Sequence, residues 1–225
     1  MIRKMCTVLL ASALVSPATA AVVVTGATPS SFNVVYNGNV ALTNQPGLTA
    51  AMTFNFLNVS NAGKTYNFSY ALTNTSSGAI TASRVSGFGV NTTPNIVSAV
   101  AGGPTFTQTH IPGSFPNGVG AFELCVNDAN SCQGGGNGGV TKGNTGAGSF
   151  SLTFANAQSQ IAFDNFYVRY QSIAGTNLGT SGTGIGMVPP AVPEPATWAL
   201  MIGGFGAIGG TMRYRRREAT TQARA

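Results

Sequence analysis

Charge is what this chain mostly lacks. Of 225 residues only 7% are Asp, Glu, Lys or Arg, and the sequence holds one histidine, one tryptophan and three cysteines. Each shortage closes off a class of chemistry. A lone histidine, His110, sits at a strand end and reads as a hydrogen-bonded structural residue rather than a base. The acidic residues ahead of the C-terminal tail are Glu123, Asp128 and Asp164. Glycoside hydrolysis needs two carboxylates about 5–10 Å apart across a sugar, and nothing in the spacing of these three selects a pair. Glu123 alternates with Phe122 and Leu124 and is expected to face solvent, whereas Asp164 is expected to pair with Arg169 or to open a bulge. The expectation is a protein that is not an enzyme and needs no cofactor and no metal.

The positive charge there is belongs to the ends. The formal net charge of +6 would suit nucleic acid or an anionic membrane, but Arg3, Lys4, Arg213, Arg215, Arg216, Arg217 and Arg224 supply 7 of the 11 basic residues. Between residues 21 and 193, Lys64, Arg84, Lys142 and Arg169 stand against Glu123, Asp128 and Asp164, a net of +1. Nucleic-acid binding thereby loses its support.

Both ends read as targeting. In Met1 to Ala20, Arg3 and Lys4 precede an apolar core from Met5 to Val15. Pro17 and Ala18-Thr19-Ala20 then give a helix break and a small-x-small cleavage site. This is a secretory signal peptide for the Sec machinery and signal peptidase, with a mature start at Ala21; the core is too short to reside in a bilayer. Cys6 opens the apolar core rather than following it, so it is no lipoprotein cysteine. At the other end, Pro193-Glu194-Pro195 is a stiff spacer without helical hydrogen bonds. Residues 196–212 then carry no charge, about the minimum length for crossing hydrocarbon. Arg213, Arg215, Arg216 and Arg217 stop transfer and hold that end in the cytoplasm, with Trp198 as the interfacial anchor opposite.

Pro193, Glu194, Pro195, Trp198 and Ala199, the glycine-rich span and the arginines together resemble the PEP-CTERM sorting signal of Gram-negative bacteria in its P-E-P-x-x-W-A form. The resemblance covers roughly the last 30 residues; Glu218 to Ala225 run past the point where many such tails stop. It implies recognition and cleavage near the motif by an exosortase, a membrane-embedded cysteine transpeptidase-like enzyme, and a host that makes exopolysaccharide. The implied itinerary is an inner-membrane intermediate with the domain in the periplasm, then the cell surface or extracellular matrix.

The segment between is long enough for one domain with a proper core. Its period is two. Met52, Phe54 and Phe56 alternate with Thr53 and Asn55, and Tyr66, Phe68, Tyr70 and Leu72 with Thr65, Asn67, Ser69 and Ala71. Phe150, Leu152 and Phe154 alternate with Ser149, Ser151 and Thr153. Each is a strand with one buried and one wet face. Further candidates are 22–25, 32–36, 80–90, 96–100, 105–110, 120–127 and 160–172. Many short strands with Gly, Pro and Asn turns and no intervening helix predict an all-β, antiparallel β-sandwich of jelly-roll type over 21–175, a closed barrel being the alternative. Residues 176–192, rich in Gly, Ser, Thr and Pro, read as a linker.

Cys125 and Cys132 form an even pair in an oxidising compartment and are expected to be disulfide-bonded. Gly204-Phe205-Gly206-Ala207-Ile208-Gly209 fits a dinucleotide fingerprint by letters only, inside the proposed span with no preceding strand. Gly206 and Gly210 permit close helix approach in lipid. Gln133 and Gly139 occupy the Gly and Glu positions of a calcium loop and exclude one, leaving oxygens of Asn127, Asp128 and Asn130 for loose contact at most.

Arg84-Val85-Ser86-Gly87-Phe88-Gly89, the Phe-Glu-Leu-Cys segment with its glycine-rich loop, and Phe163 to Ser172 look like the small envelope proteins of the cistern family. That resemblance implies a shared exported domain rather than a reaction. Two roles remain: a structural or interaction protein of the surface or exopolysaccharide matrix, and a carbohydrate-binding module. For the second, Asp164, Asn165, Tyr167, Arg169 and Tyr170 form the candidate ligand surface. An exposed aromatic row there favours binding; buried rings favour the structural role.

Overall fold

The computed structural model describes residues 21–26, 30–134, 138–189 and 201–206. Its strands are β1 (Val22–Thr25), β2 (Ser31–Tyr36), β3 (Asn39–Val40), β4 (Thr43–Asn44), β5 (Ala50–Ser60), β6 (Thr65–Thr73), β7 (Ala82–Thr93) and β8 (Ile96–Gly102). They continue with β9 (Gln108–His110), β10 (Gly113–Phe115), β11 (Gly120–Phe122), β12 (Leu124–Asn127), β13 (Val140–Thr141), β14 (Thr145–Phe154), β15 (Gln160–Ala174) and β16 (Gly182–Met187).

Fourteen strands join one antiparallel sheet: ten follow the path β8-β14-β6-β5-β2-β16-β15-β7-β12-β9, and β1, β13, β3 and β4 pair off it with β15, β7, β16 and β3, while β10 and β11 form a separate hairpin. The sheet folds over on itself, so that Phe54, Phe68, Tyr70 and Phe150 from one half meet Phe88 and Phe163 from the other at ring separations of 5.1–6.1 Å. Its ends come together where the Thr109 hydroxyl of β9 donates to the Ala99 carbonyl of β8 at 3.0 Å. The expected antiparallel sandwich is therefore a single sheet nearly closed into a barrel. The alternation is what builds it: Met52 and Phe54, Phe68 and Leu72, and Phe150 and Leu152 are buried while Ser, Thr and Asn between them face out.

One boundary needs correction. Residues 182–187, assigned above to a linker, form β16 between β15 and β2 near the middle of the sheet, and the compact unit runs to Pro189. Composition misleads here because the glycines serve proximity rather than flexibility. A Cβ on Gly182 or Gly184 would run into the carbonyls of Asn39 and Asn37, and one on Gly186 would lie 2.5 Å from Val34 and 2.7 Å from Phe166. Only a Gly-x-Gly-x-Gly strand fits between β2 and β15 at this depth.

The C-terminal unit begins at Pro190, and its described residues 201–206 are helical. Among the described residues no helix is long and apolar enough to cross a membrane. The signal peptide, the sorting motif and the stop arginines lie outside the described residues, as does most of the proposed span.

Candidate functional site

β7 is buried on both faces from Val85 to Val90, because a second layer covers its outside. That layer is the β10–β11 hairpin and the loop after β12. Phe115 and Phe122 pack at 4.7 Å, and Phe122 lies 5.3 Å from Tyr167. The Cys125–Cys132 disulfide, with Cα atoms 6.3 Å apart, joins this cluster. Closing so short a loop stabilises by about 2–3 kcal/mol on the chain-entropy model. His110 Nε2 lies 3.1 Å from Asn127 Oδ1 and 3.0 Å from the Ala129 carbonyl, bracing the same loop from β9.

Under this layer the expected ligand surface comes apart. Arg169 is buried, and its guanidinium donates to the carbonyls of Gly182 (2.7 Å), Tyr170 (3.3 Å) and Gln133 (3.3 Å). It ties β16 and the disulfide loop to β15, and desolvation lowers its pKa. Tyr170 turns the other way, into the core; the register shift between Arg169 and Tyr170 lets neighbouring residues both be buried. Burial, with the nearby Tyr36 hydroxyl adding to it, raises the Tyr170 pKa well above its ordinary value. Tyr167 is half-buried against Phe122, and burial raises its pKa also. Arg169, Tyr170 and Tyr167 thus form no exposed aromatic row.

Asp164 and Asn165 remain at the surface, in a cleft of ≈590 Å³ at one end of the sheet. Asp164 marks a bulge between Phe163 and Asn165 and accepts from the Thr93 hydroxyl, not from Arg169. Glu123 lines the same cleft, contrary to the expectation that it faces open solvent. Its carboxylate accepts from the Thr92 amide (2.8 Å), the Thr92 hydroxyl (2.6 Å) and the Ile96 amide, pinning the turn between β7 and β8. Its own amide donates to Asn91 Oδ1 at 2.8 Å. Period-two reasoning missed Glu123 because the strand breaks there: β11 ends at Phe122, β12 starts at Leu124, and both neighbours are buried. Two carboxylates therefore share a cleft, one of them committed to holding a turn. Asn127, one of the three calcium candidates, spends its side chain on His110, the Ala129 amide and the Ser131 carbonyl. Among the described residues no group of three His, Cys, Asp or Glu is placed to hold a metal ion.

Comparison with known families identifies the end of the chain. Residues 191–217 match the model of the PEP-CTERM protein-sorting motif. The chain carries a PEP-CTERM sorting motif. The match includes Pro193, Glu194, Pro195, Trp198 and Ala199 together with the arginines up to Arg217. A PEP-CTERM tail implies an exported protein handled by an exosortase, through a membrane-anchored intermediate before surface display. No curated protein and no solved structure matches the chain. The resemblance of the β-domain to the cistern family accordingly gains no support from these comparisons.

Proposed function

We propose that this chain is a non-enzymatic exported protein of the cell surface or exopolysaccharide matrix. A Sec signal peptide removed before Ala21 delivers it, and an exosortase processes it at its tail. The observation that carries the reading is the PEP-CTERM match over residues 191–217. In this scheme residues 196–212 hold the chain in the inner membrane, Arg213, Arg215, Arg216 and Arg217 stay cytoplasmic, and the β-domain waits in the periplasm. Both Glu123 carboxylate oxygens accept from backbone amides, which commits that side chain to holding the turn between β7 and β8. Replacing Glu194 and Pro195 together by alanine should leave export intact and block release from the membrane. Unchanged release, measured by fractionation and intact mass, sinks motif-directed processing.

Carbohydrate binding stands as the second reading, and it moves away from the residues first assigned to it. Tyr170 and Arg169 are buried, whereas strands β5, β6, β8 and β14 carry no charged residue.

A further inference from the structure

Strands β2, β5, β6, β8 and β14 contain no Asp, Glu, Lys or Arg. Their outward residues form ranks across four strands, in steps of about 4.8 Å. One rank is Asn55, Ser69, Ser149 and Gly102; the next is Asn58, Asn67, Ser151 and Val100; a third is Ser60, Thr65, Thr153 and Ser98. Lateral hydrogen bonds hold the ranks in place: Asn67 Nδ2 donates to Asn58 Oδ1 at 2.8 Å and to Ser60 Oγ at 3.0 Å, and the Thr65 and Thr153 hydroxyls lie 3.1 Å apart. A bulge between Phe56 and Asn58 extrudes Leu57, which is 54% exposed, and Val100 on β8 is 67% exposed. Leu57 and Val100 rim a trough of ≈500 Å³ that also takes in Asn58, Asn67, Ser149 and Ser151.

We propose that this trough binds a neutral polysaccharide chain. The inference deepens the carbohydrate-binding reading and is independent of the sorting tail. Among the described residues Asn67 Oδ1, Asn58 Nδ2 and the Ser151 hydroxyl have no hydrogen-bond partner, so the floor offers both donors and acceptors. Sugar hydroxyls donate and accept alike and match such a floor, while the C–H faces of the rings suit Leu57 and Val100. An anionic polymer would find no cation on these strands. A second copy laid face to face would desolvate these amides and hydroxyls with poor compensation. Strand addition needs an open edge: the backbones of β5, β6 and β14 are paired on both sides, and β9 lies along β8, its Thr109 hydroxyl donating to the Ala99 carbonyl.

The test is binding of the full chain, held in detergent micelles, to immobilised dextran, galactomannan and xyloglucan, with alginate as the anionic comparison. At least one neutral polymer should bind, equally at low and high salt, and Asn67→Ala with Ser151→Ala should weaken it at least tenfold. Val100→Ser, at an exposed rim position, should weaken it severalfold without a change in thermal midpoint, which separates lost contact from lost fold. The proposal is overturned if no neutral polymer binds, if alginate binds in preference, or if the variants bind like wild type. It is equally overturned if sedimentation shows a dimer that the variants abolish. Because the tail plays no part, failed processing in the Glu194 and Pro195 variant leaves this result unaffected.

Discussion

Gly184→Ala combined with Gly186→Ala decides whether residues 182–187 are core strand or spacer. At Gly184 an added Cβ meets the Asn37 carbonyl, Val168 Cγ2 at 2.9 Å and Tyr170 Cε2 at 3.0 Å. At Gly186 it meets Val34 Cγ1 at 2.5 Å and both Phe166 Cβ and Tyr36 Cε1 at 2.7 Å. None of these is the free end of a long flexible side chain, so the backbones of β2, β15 and β16 must part. Overpacking costs about 1–3 kcal/mol per site, and replacing glycine returns about 0.4–1 kcal/mol per site by restricting the unfolded chain. The double variant should therefore lose about 1–4 kcal/mol. At about 2–4 °C per kcal/mol for a domain of this size, the thermal midpoint should fall by about 2–16 °C. Circular dichroism or scanning fluorimetry reads this directly, with Ile185→Ala on the exposed face of the same strand as the control. A linker predicts the opposite sign, since only the unfolded-state gain would remain. A midpoint unchanged or raised in the double variant refutes β16.

Two further perturbations test the interior. The Tyr36 and Tyr170 hydroxyls are buried and have no hydrogen-bond partner among the described residues, and desolvation raises the pKa of each. Below the unfolded tyrosine pKa of about 10 their contribution is fully present. Above it the unfolded chain releases protons the folded chain retains, and stability falls by up to about 1.4 kcal/mol per pH unit per tyrosine. Urea midpoints measured from neutral pH to about pH 11 should drop accordingly, and a flat profile through the tyrosine range contradicts the buried pair. Arg169→Ala should cost about 2–4 kcal/mol by stranding the carbonyls of Gly182, Tyr170 and Gln133. A neutral effect on the urea midpoint would return Arg169 to the surface.

Much of the fold was legible because its strands follow one rule. Tyr66 to Leu72 and Phe150 to Phe154 alternate without a break, and those segments became β6 and β14. Legibility stopped wherever both faces of a strand are covered. In β7 the second layer buries Ser86, Gly87 and Gly89 along with Val85 and Phe88, so periodicity carries no facing information there. The same cover explains Arg169 and Tyr167, which were placed on a ligand surface: local sequence does not show that the hairpin at residues 113–122 and the disulfide loop fold over them, while Tyr170 faces the core. β16 was hidden by glycines chosen for close approach. The disulfide and the PEP-CTERM tail were readable because each depends on a short local pattern rather than on distant neighbours.

The few charges of the domain further constrain how it meets anything outside itself. Arg169 and Glu123 serve backbone groups; Lys142 donates to the Ile80 carbonyl, and Arg84 to the Gly138 carbonyl and the Gln171 side chain. Four cations against three carboxylates between residues 21 and 193 leave a net charge of only +1, so electrostatic steering contributes little to encounter rate. Recognition then rests on short-range contacts made after collision, each weak and insensitive to salt. Such contacts gain most from a ligand that repeats, because a polymer presents the same groups in successive registers and re-engages before it escapes. A bare, ranked face of hydroxyls and amides with no charge is coherent with a repeating neutral partner, and poorly matched to a small charged metabolite, a nucleic acid or an acidic peptide.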